Sequence, residues 1–360
     1  MLNPLELHLK RLVEAQGPMA LGAFIECALI HPEYGYYTQS NPFGKTGDFI
    51  TAPDISQTFG EILGAWVIDI WNQMERPAVV NLIECGPGRG TLMVDMARMF
   101  RQFPNLTKAV HIRLIETQGE QRKAQEKALE SVNVSWHEDI SDVPDDNPCI
   151  IIGNEFLDAL PIEQLKRGKS GWQKRYVHFS KEENTFIYEW KNADKGLLEH
   201  LPSITESNKI YEVSPARSRF IQQCAERIKR HTGAALFIDY GHIKSHHGDT
   251  LQAVKNHAYS KVLRDIGKSD ITSHVDFDAL ARCLSARGVK VMPIISQGPF
   301  LLRLGIQHRL KALQKSAPSI DVSQELHDGV DRLVSPKEMG ELFKVLCFYD
   351  ENNIKPCGFE

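Results

Sequence analysis

The chain predicts an α/β fold built around an open sheet, on three observations. From Val79 to Phe100 a short apolar run enters a turn with glycines at 86, 88 and 90, then Leu92, Met93, Met96, Ala97 and Phe100 return at helical spacing. Cys149-Ile150-Ile151-Ile152-Gly153 is a continuous apolar run, as expected of a strand covered on both faces. Two further runs, Val110 to Glu116 and Ala234 to Asp239, also end in an acid.

The elements follow in order. Residues 3 to 30 carry helical spacing on Leu5, Leu9, Leu12 and Val13 and again on Leu21, Phe24, Ile25 and Leu29, broken at Gly17-Pro18. His31 to Tyr37 is dense in aromatics and turn formers. Gly44-Lys45-Thr46 ends like a P-loop, but the upstream glycine and apolar strand are absent, so that reading is rejected. Pro53 suits a first helical turn and Asp54 suits its dipole. The helix should run on with Ile55, Phe59, Ile62, Leu63, Trp66 and Ile70 on one face. Strands are expected over 110–116, 132–136 and 149–153. Trp172 to Phe179 and Phe186 to Trp190, with Lys181-Glu182-Glu183-Asn184 between them, alternate like a hairpin.

A helix from Pro215 to about residue 230 leads into the strand ending at Asp239. Residues 242–273 read as loop, and His274-Val275-Asp276-Phe277 opens a helix that stops at Gly288. Val289 to Ile295 and Phe300 to Leu304 are expected as paired closing strands. Ser335-Pro336-Lys337-Glu338 has the form of a capping box, starting a helix with Met339, Leu342, Phe343 and Leu346 on one face. The expected division is a helical or lid segment over 1–58, a core with insertions over 59–305, and a helical extension over 306–360.

Composition narrows the function. With 360 residues the chain can bury a large core, and 42% apolar with 24% charged residues is ordinary for a soluble globular protein. A net charge of −4 offers nothing to nucleic acid or an anionic membrane. No apolar run nears the ~20 residues of a membrane span. Glu6 and Glu14 sit badly in a transit peptide, so the chain reads as cytoplasmic, with no nucleic acid partner and no membrane insertion. Seven scattered cysteines form no C-x-x-C pair, and His242, His246 and His247 lack partner ligands, so no metal is expected.

The glycine spacing selects the cofactor. A dinucleotide fingerprint places its third glycine five positions after the first; here the interval is four, with Glu84 two residues ahead. A carboxylate there would repel a pyrophosphate and attract an ammonium. S-adenosyl-L-methionine carries an ammonium on its methionyl end and no phosphate, so Glu84, Gly86, Gly88 and Gly90 are assigned to it. Glu116, beyond the second strand, can hold both ribose hydroxyls. Asp139, chosen over Glu138, can accept from the adenine amino group. Beyond the fourth strand, Asn154 to Pro161 form the loop where the transferred group would sit.

Several blocks together resemble the MidA-type class I methyltransferases, which include mitochondrial assembly factors for respiratory complex I. They are His31 to Tyr37, Gly47 to Gln57, Glu84 to Leu92, Asn154 to Pro161, Ala234 to Gly241, Gly248-Asp249-Thr250, Ser273 to Phe277, Gln297-Gly298 and Met339 to Leu346. The resemblance covers nearly the whole chain. Asp54 stands where a glutamate is common, and Cys85 and Leu157 replace commoner apolar residues.

The resemblance implies a Rossmann-like class I methyltransferase sheet with an N-terminal helical segment, an inserted hairpin and C-terminal helical additions. It implies methylation of an arginine on a protein substrate, a complex I (NADH:quinone oxidoreductase) subunit, in support of assembly. It also implies that Thr51, Ala52 and Pro53 close over the site and that Asn154 joins the cofactor residues.

Methyl transfer from a sulfonium is an in-line displacement, for which alignment and exclusion of water are the protein's main contributions. Glu155 is assigned to the guanidinium, in bidentate contact, with Asp158 as support. Three other readings stay open: an assembly chaperone with a structural cofactor, a small-molecule methyltransferase and, last, an NAD oxidoreductase.

Overall fold

Runs of apolar residues form strands when both faces are to be covered, and that is how the acid-bearing sheet is built. The computed structural model describes residues 2–39, 50–202, 205–351 and 354–360. Gly44-Lys45-Thr46 and Gly47-Asp48-Phe49 lie outside the described residues. The chain divides into two compact units. One comprises Ile50–Leu157, Phe220–Ile243 and Leu280–Glu360; the other comprises Met1–Phe49, Asp158–Arg219 and Lys244–Ala279. These units cut across the segments 1–58, 59–305 and 306–360.

The first unit is an α/β sheet. Its strands, numbered within the unit, are β1 (Val80–Cys85), β2 (Val110–Ile115), β3 (Val134–His137), β4 (Cys149–Asn154), β5 (Gly233–His242) and β6 (Phe343–Tyr349). They lie in the order β6-β5-β4-β1-β2-β3, with β6 antiparallel to β5 and every other pairing among them parallel. The order reverses between β1 and β4, which makes the carboxyl ends of those two strands the place where a ligand binds in such sheets. Helices α1 (Ala52–Ile55), α2 (Gln57–Gln73), α3 (Thr91–Phe100) and α4 (Gly119–Ala128) precede or connect the strands. Trp66 and Phe59 of α2, Met93 and Phe100 of α3, and Leu82 and Ile150 of the sheet are buried in one continuous core.

Five expectations need correction in this unit. The helix predicted from Pro53 to Ile70 is two helices, because Ser56 takes an extended conformation and its side chain caps α2 through Thr58 N. Phe300 to Leu304 is not a strand: residues Gln297–Arg303 form a helix, and Pro299 is tolerated in its first turn. Residues 343 to 346 are not helical: only Met339–Leu342 makes a short helical turn, and Phe343–Tyr349 is strand β6. The supposed capping box fails because Ser335 terminates the preceding helix, Ile320–Val334, with its N–H on Asp331 O. The strand expected over Val289 to Ile295 is present only as the short pieces Lys290–Val291 and Ile295–Ser296, both antiparallel to β6.

In the second unit, helices Pro4–Gln16 and Leu21–Ile30 bury Leu5, Leu9, Phe24 and Ile25 with Val177, Phe179 and Phe186 of an antiparallel sheet. Asn3 and Glu6 cap the first helix reciprocally. The expected hairpin is there: Gly171–Ser180 pairs with Thr185–Asn192 in a register that sets Phe179 opposite Phe186. Residues 242–273, expected as loop, instead hold a small sheet of Gln252–Lys255, Ala258–Ser260 and Asp270–Thr272. Strands of three or four residues are too short to show alternation. Among the described residues, no helix is long and apolar enough to cross a membrane.

Candidate active site

The turn after β1 is shaped by positive backbone angles: φ is 65° at Gly86, 52° at Gly88 and 82° at Gly90. Side chains are strained there, which is why glycine occupies all three positions. At Gly86 space also forbids a side chain, since a Cβ would lie 2.8 Å from the Phe156 ring. Gly90 is the N-cap of α3 and closes the turn through its N–H to Pro87 O at 2.8 Å.

Two buried acceptors lie at the adjoining strand ends. Glu84 is 2% exposed and its Oε2 has no hydrogen-bond partner among the described residues. Burial pushes its carboxyl up to about 8. Asn154, at the end of β4, has an equally unpartnered Oδ1. Register aligns Glu84 with Ile152 and Cys85 with Gly153, so both acceptors stand at the switch point. Buried polar atoms are normally satisfied; two orphan acceptors beside a glycine cradle fit a cationic ammonium. That is the end of S-adenosyl-L-methionine these residues suit.

Glu116 follows β2, with its N–H on His137 O at 2.9 Å. Its Oε1 accepts from Gln118 N at 2.9 Å and its Oε2 from Gln125 Nε2 at 3.1 Å. Burial raises its carboxyl, and these hydrogen bonds oppose the rise. Asp139 lies two residues beyond β3, exposed, with Oδ1 accepting from Ser141 N at 2.9 Å and Ser141 Oγ at 2.7 Å.

Glu155 stands immediately after β4 at φ 50°, a conformation L-residues other than asparagine and aspartate seldom adopt. Its N–H donates to Ile238 O, and its Oε1 accepts from Asn154 Nδ2 at 3.1 Å and from Ala52 N at 2.9 Å. The last contact joins the Thr51-Ala52-Pro53 segment to the end of β4. Asp54 ties the same helix to the glycine turn, accepting from Arg89 Nη2 at 2.6 Å and Thr91 Oγ1 at 3.1 Å.

The unit thus brings Thr51, Pro53, Glu84, Gly86, Gly88, Gly90, Glu116, Asp139, Asn154 and Glu155 to the carboxyl end of one sheet. Asp158 belongs to the other unit, where it is buried and its carbonyl accepts from Arg217 Nη2 and Ser273 N.

Sequence reasoning missed two residues that hold this arrangement. Asp239 is 1% exposed; its Oδ2 accepts from Phe156 N at 3.2 Å and Leu157 N at 2.9 Å, and its Oδ1 from Tyr240 N at 2.9 Å. It therefore fixes the loop that carries Glu155, and its place at the end of an apolar strand was the available signal. Gln125, wholly buried on α4, contacts both the glycine turn and Glu116, and nothing in the sequence marks it.

Comparison with known proteins agrees with this geometry. A family described as "Putative S-adenosyl-L-methionine-dependent methyltransferase" matches residues 62–295. The chain is 32% identical to the Xenopus laevis mitochondrial protein arginine methyltransferase NDUFAF7, over 98% of this chain and 86% of that one. It is also 32% identical to the Homo sapiens protein of that name, over 95% and 82%. A Burkholderia thailandensis crystal structure bound to S-adenosyl-homocysteine superposes with a TM-score of 0.86 at 25% identity, covering 99% of this chain and 96% of that one.

Proposed function

The chain belongs to the MidA-type family of S-adenosyl-L-methionine-dependent methyltransferases, and we propose that it transfers the methyl group to an arginine side chain of a protein substrate. The observation that carries the arginine reading is Glu155, a carboxylate held in a strained backbone conformation at the switch point. The names of the relatives support it.

The cofactor supplies an electrophilic methyl on a positively charged sulfur. Glu84 and Asn154 would bind the ammonium, Gly86, Gly88 and Gly90 would let the methionyl end lie against the backbone, and Glu116 would take the ribose. Asp139 would accept from the adenine amino group. A guanidinium nitrogen has its lone pair conjugated, so attack requires a fixed plane and loss of one N–H proton. Because Glu155 Oε1 already accepts from Asn154 Nδ2 and Ala52 N, Glu155 would meet the guanidinium through one oxygen rather than in the expected bidentate contact, orienting it and, beside the attacking nitrogen, accepting the proton. The N–C bond forms as the S–C bond breaks, and the proton leaves from the nitrogen that gains the methyl. The segment from Thr51 to Asp54, tied to Glu155 and to the glycine turn, would exclude water. A complex I subunit is the proposed substrate and the cytoplasm the proposed location.

The test is Glu155→Gln. Cofactor affinity should stay within about threefold of wild type while the rate of transfer to protein falls by about 100-fold or more, as for loss of a positioned acid–base group. Transfer at the wild-type rate would remove Glu155 from the mechanism.

A further inference from the structure

We infer that Gln125 is a positioning residue that aims Glu116 at the cofactor's ribose and locks it to the glycine turn. This rests on the reading above, that Glu116 takes the ribose hydroxyls.

Helix α4, Gly119–Ala128, is polar along its length, and of its residues only Gln121 and Gln125 are buried. Gln125 is 0% exposed. Its Nε2 donates to Gly88 O at 2.7 Å and to Glu116 Oε2 at 3.1 Å, and its Oε1 accepts from Trp136 Nε1 at 2.8 Å. One planar amide therefore spans three strand ends: the turn after β1, the acid after β2, and β3.

The partners fix the amide's orientation. An indole N–H can only donate, so it must face the amide oxygen; a backbone carbonyl and a carboxylate can only accept, so they must face the two N–H donors. Each of the three contacts excludes the flipped amide. Few side chains could substitute. Lysine has no acceptor for Trp136, glutamate has no donor and would repel Glu116, and asparagine is one methylene short. Gln125 lies beside the glycine turn, its Cγ 3.6 Å from where a Cβ on Gly90 would stand.

The consequence falls on Glu116. Gln118 N holds one carboxylate oxygen and Gln125 Nε2 the other, with the Thr117 backbone N–H also drawn to the group, so the plane of the carboxylate is set by the protein. Two vicinal hydroxyls need two acceptors in one plane, and this arrangement presents them. The link to Gly88 O sets the distance between the ribose acid and the methionyl cradle. Without it both would remain, but not in fixed register.

The experiment measures affinity for S-adenosyl-homocysteine and for its 2′-deoxy counterpart by calorimetry, in wild type, Gln125→Met and Gln125→Glu. Gln125→Glu keeps the length and the acceptor for Trp136 but sets a second carboxyl against Glu116, while Gln125→Met is the uncharged control of similar size; melting temperatures check that both variants fold. Wild type should prefer the ribose form by about tenfold or more, as expected for a lost hydrogen bond to a charged group. In both variants that preference should fall to within about threefold, whatever happens to overall affinity, because a merely structural residue would lower both affinities together. A wild type with no preference would refute ribose recognition by Glu116, and with it the premise. A wild-type preference retained in both folded variants would overturn the role given to Gln125 alone.

Discussion

Replacing Glu84 by glutamine separates charge from shape at the cofactor's ammonium. In the ligand-free protein burial holds the Glu84 carboxyl near 8, with Oε2 unpartnered. At pH 7 the group is therefore largely protonated and resembles the glutamine. Binding an ammonium favours the carboxylate, which must first lose its proton at a cost of about 1.4 kcal/mol per pH unit below 8. A charge-assisted hydrogen bond then returns about 1.5–3 kcal/mol. Wild-type affinity for S-adenosyl-homocysteine should rise steeply with pH, by about 50-fold between roughly pH 6 and pH 8, then level off. The glutamine variant should lack this slope, so the two should converge near pH 6 and differ by about 10- to 100-fold at pH 8. Titration of the ligand itself is common to both and drops out of the comparison.

Calorimetry in buffers of different ionisation enthalpy should also show net proton release on binding to wild type at pH 7, and none of it from the variant. The same shift has a sign for stability. The folded carboxyl holds its proton to a higher pH than the unfolded one, so this contribution is fully present below the ordinary glutamate range and is lost as pH rises through about 8. Ligand-free Glu84→Gln should accordingly melt higher than wild type above pH 8. Parallel pH slopes for the two proteins would refute the placement of the ammonium at Glu84.

Other substitutions probe the scaffold. Gly86→Val combines a strained φ of 65° with a Cβ driven against Phe156, and cofactor affinity should drop by more than about 100-fold; near-normal affinity by calorimetry would place the cofactor elsewhere. Asp239→Asn turns one acceptor into a donor facing a backbone N–H, costing about 1–3 kcal/mol in denaturant unfolding and slowing methyl transfer. Unchanged transfer would show that the Glu155 loop needs no anchor. Asp54→Ala removes contacts to Arg89 and Thr91 from a carboxylate whose side chain is 7% exposed, so stability should fall by about 1–3 kcal/mol. Release of S-adenosyl-homocysteine, followed by stopped flow, should also quicken severalfold; an unaltered rate would deny α1 a role in closing the site.

The legible parts of this protein were those with a local signature. The strand, turn and helix around Gly86 combine a period of 3.6 with three glycines that have a conformational reason to be there, and the acids at strand ends mark the ligand edge. What misled was the absence of period. Phe343 to Phe348 is buried on every side as β6, so its apolar run fits a helix face and a strand equally well. Ser335 and Glu338 have capping-box spacing, yet Ser335 ends one helix instead of starting another.

Gln125 was invisible for a different reason: α4 is polar throughout, and burial of one amide in it is decided by partners on three other segments. The tie from Glu155 to Ala52, across 103 residues, is likewise a tertiary event with no local trace. Strain at Glu155 is read only from the backbone.

The most direct test of protein arginine methylation uses lysate from cells lacking this protein, given labelled S-adenosyl-L-methionine and the purified chain. The account predicts label in a protein band that, after digestion, resides on methylated arginine, and predicts its loss with Glu155→Gln. Label confined to small molecules, or cofactor binding without any transfer even to unassembled complex I subunits, would contradict it.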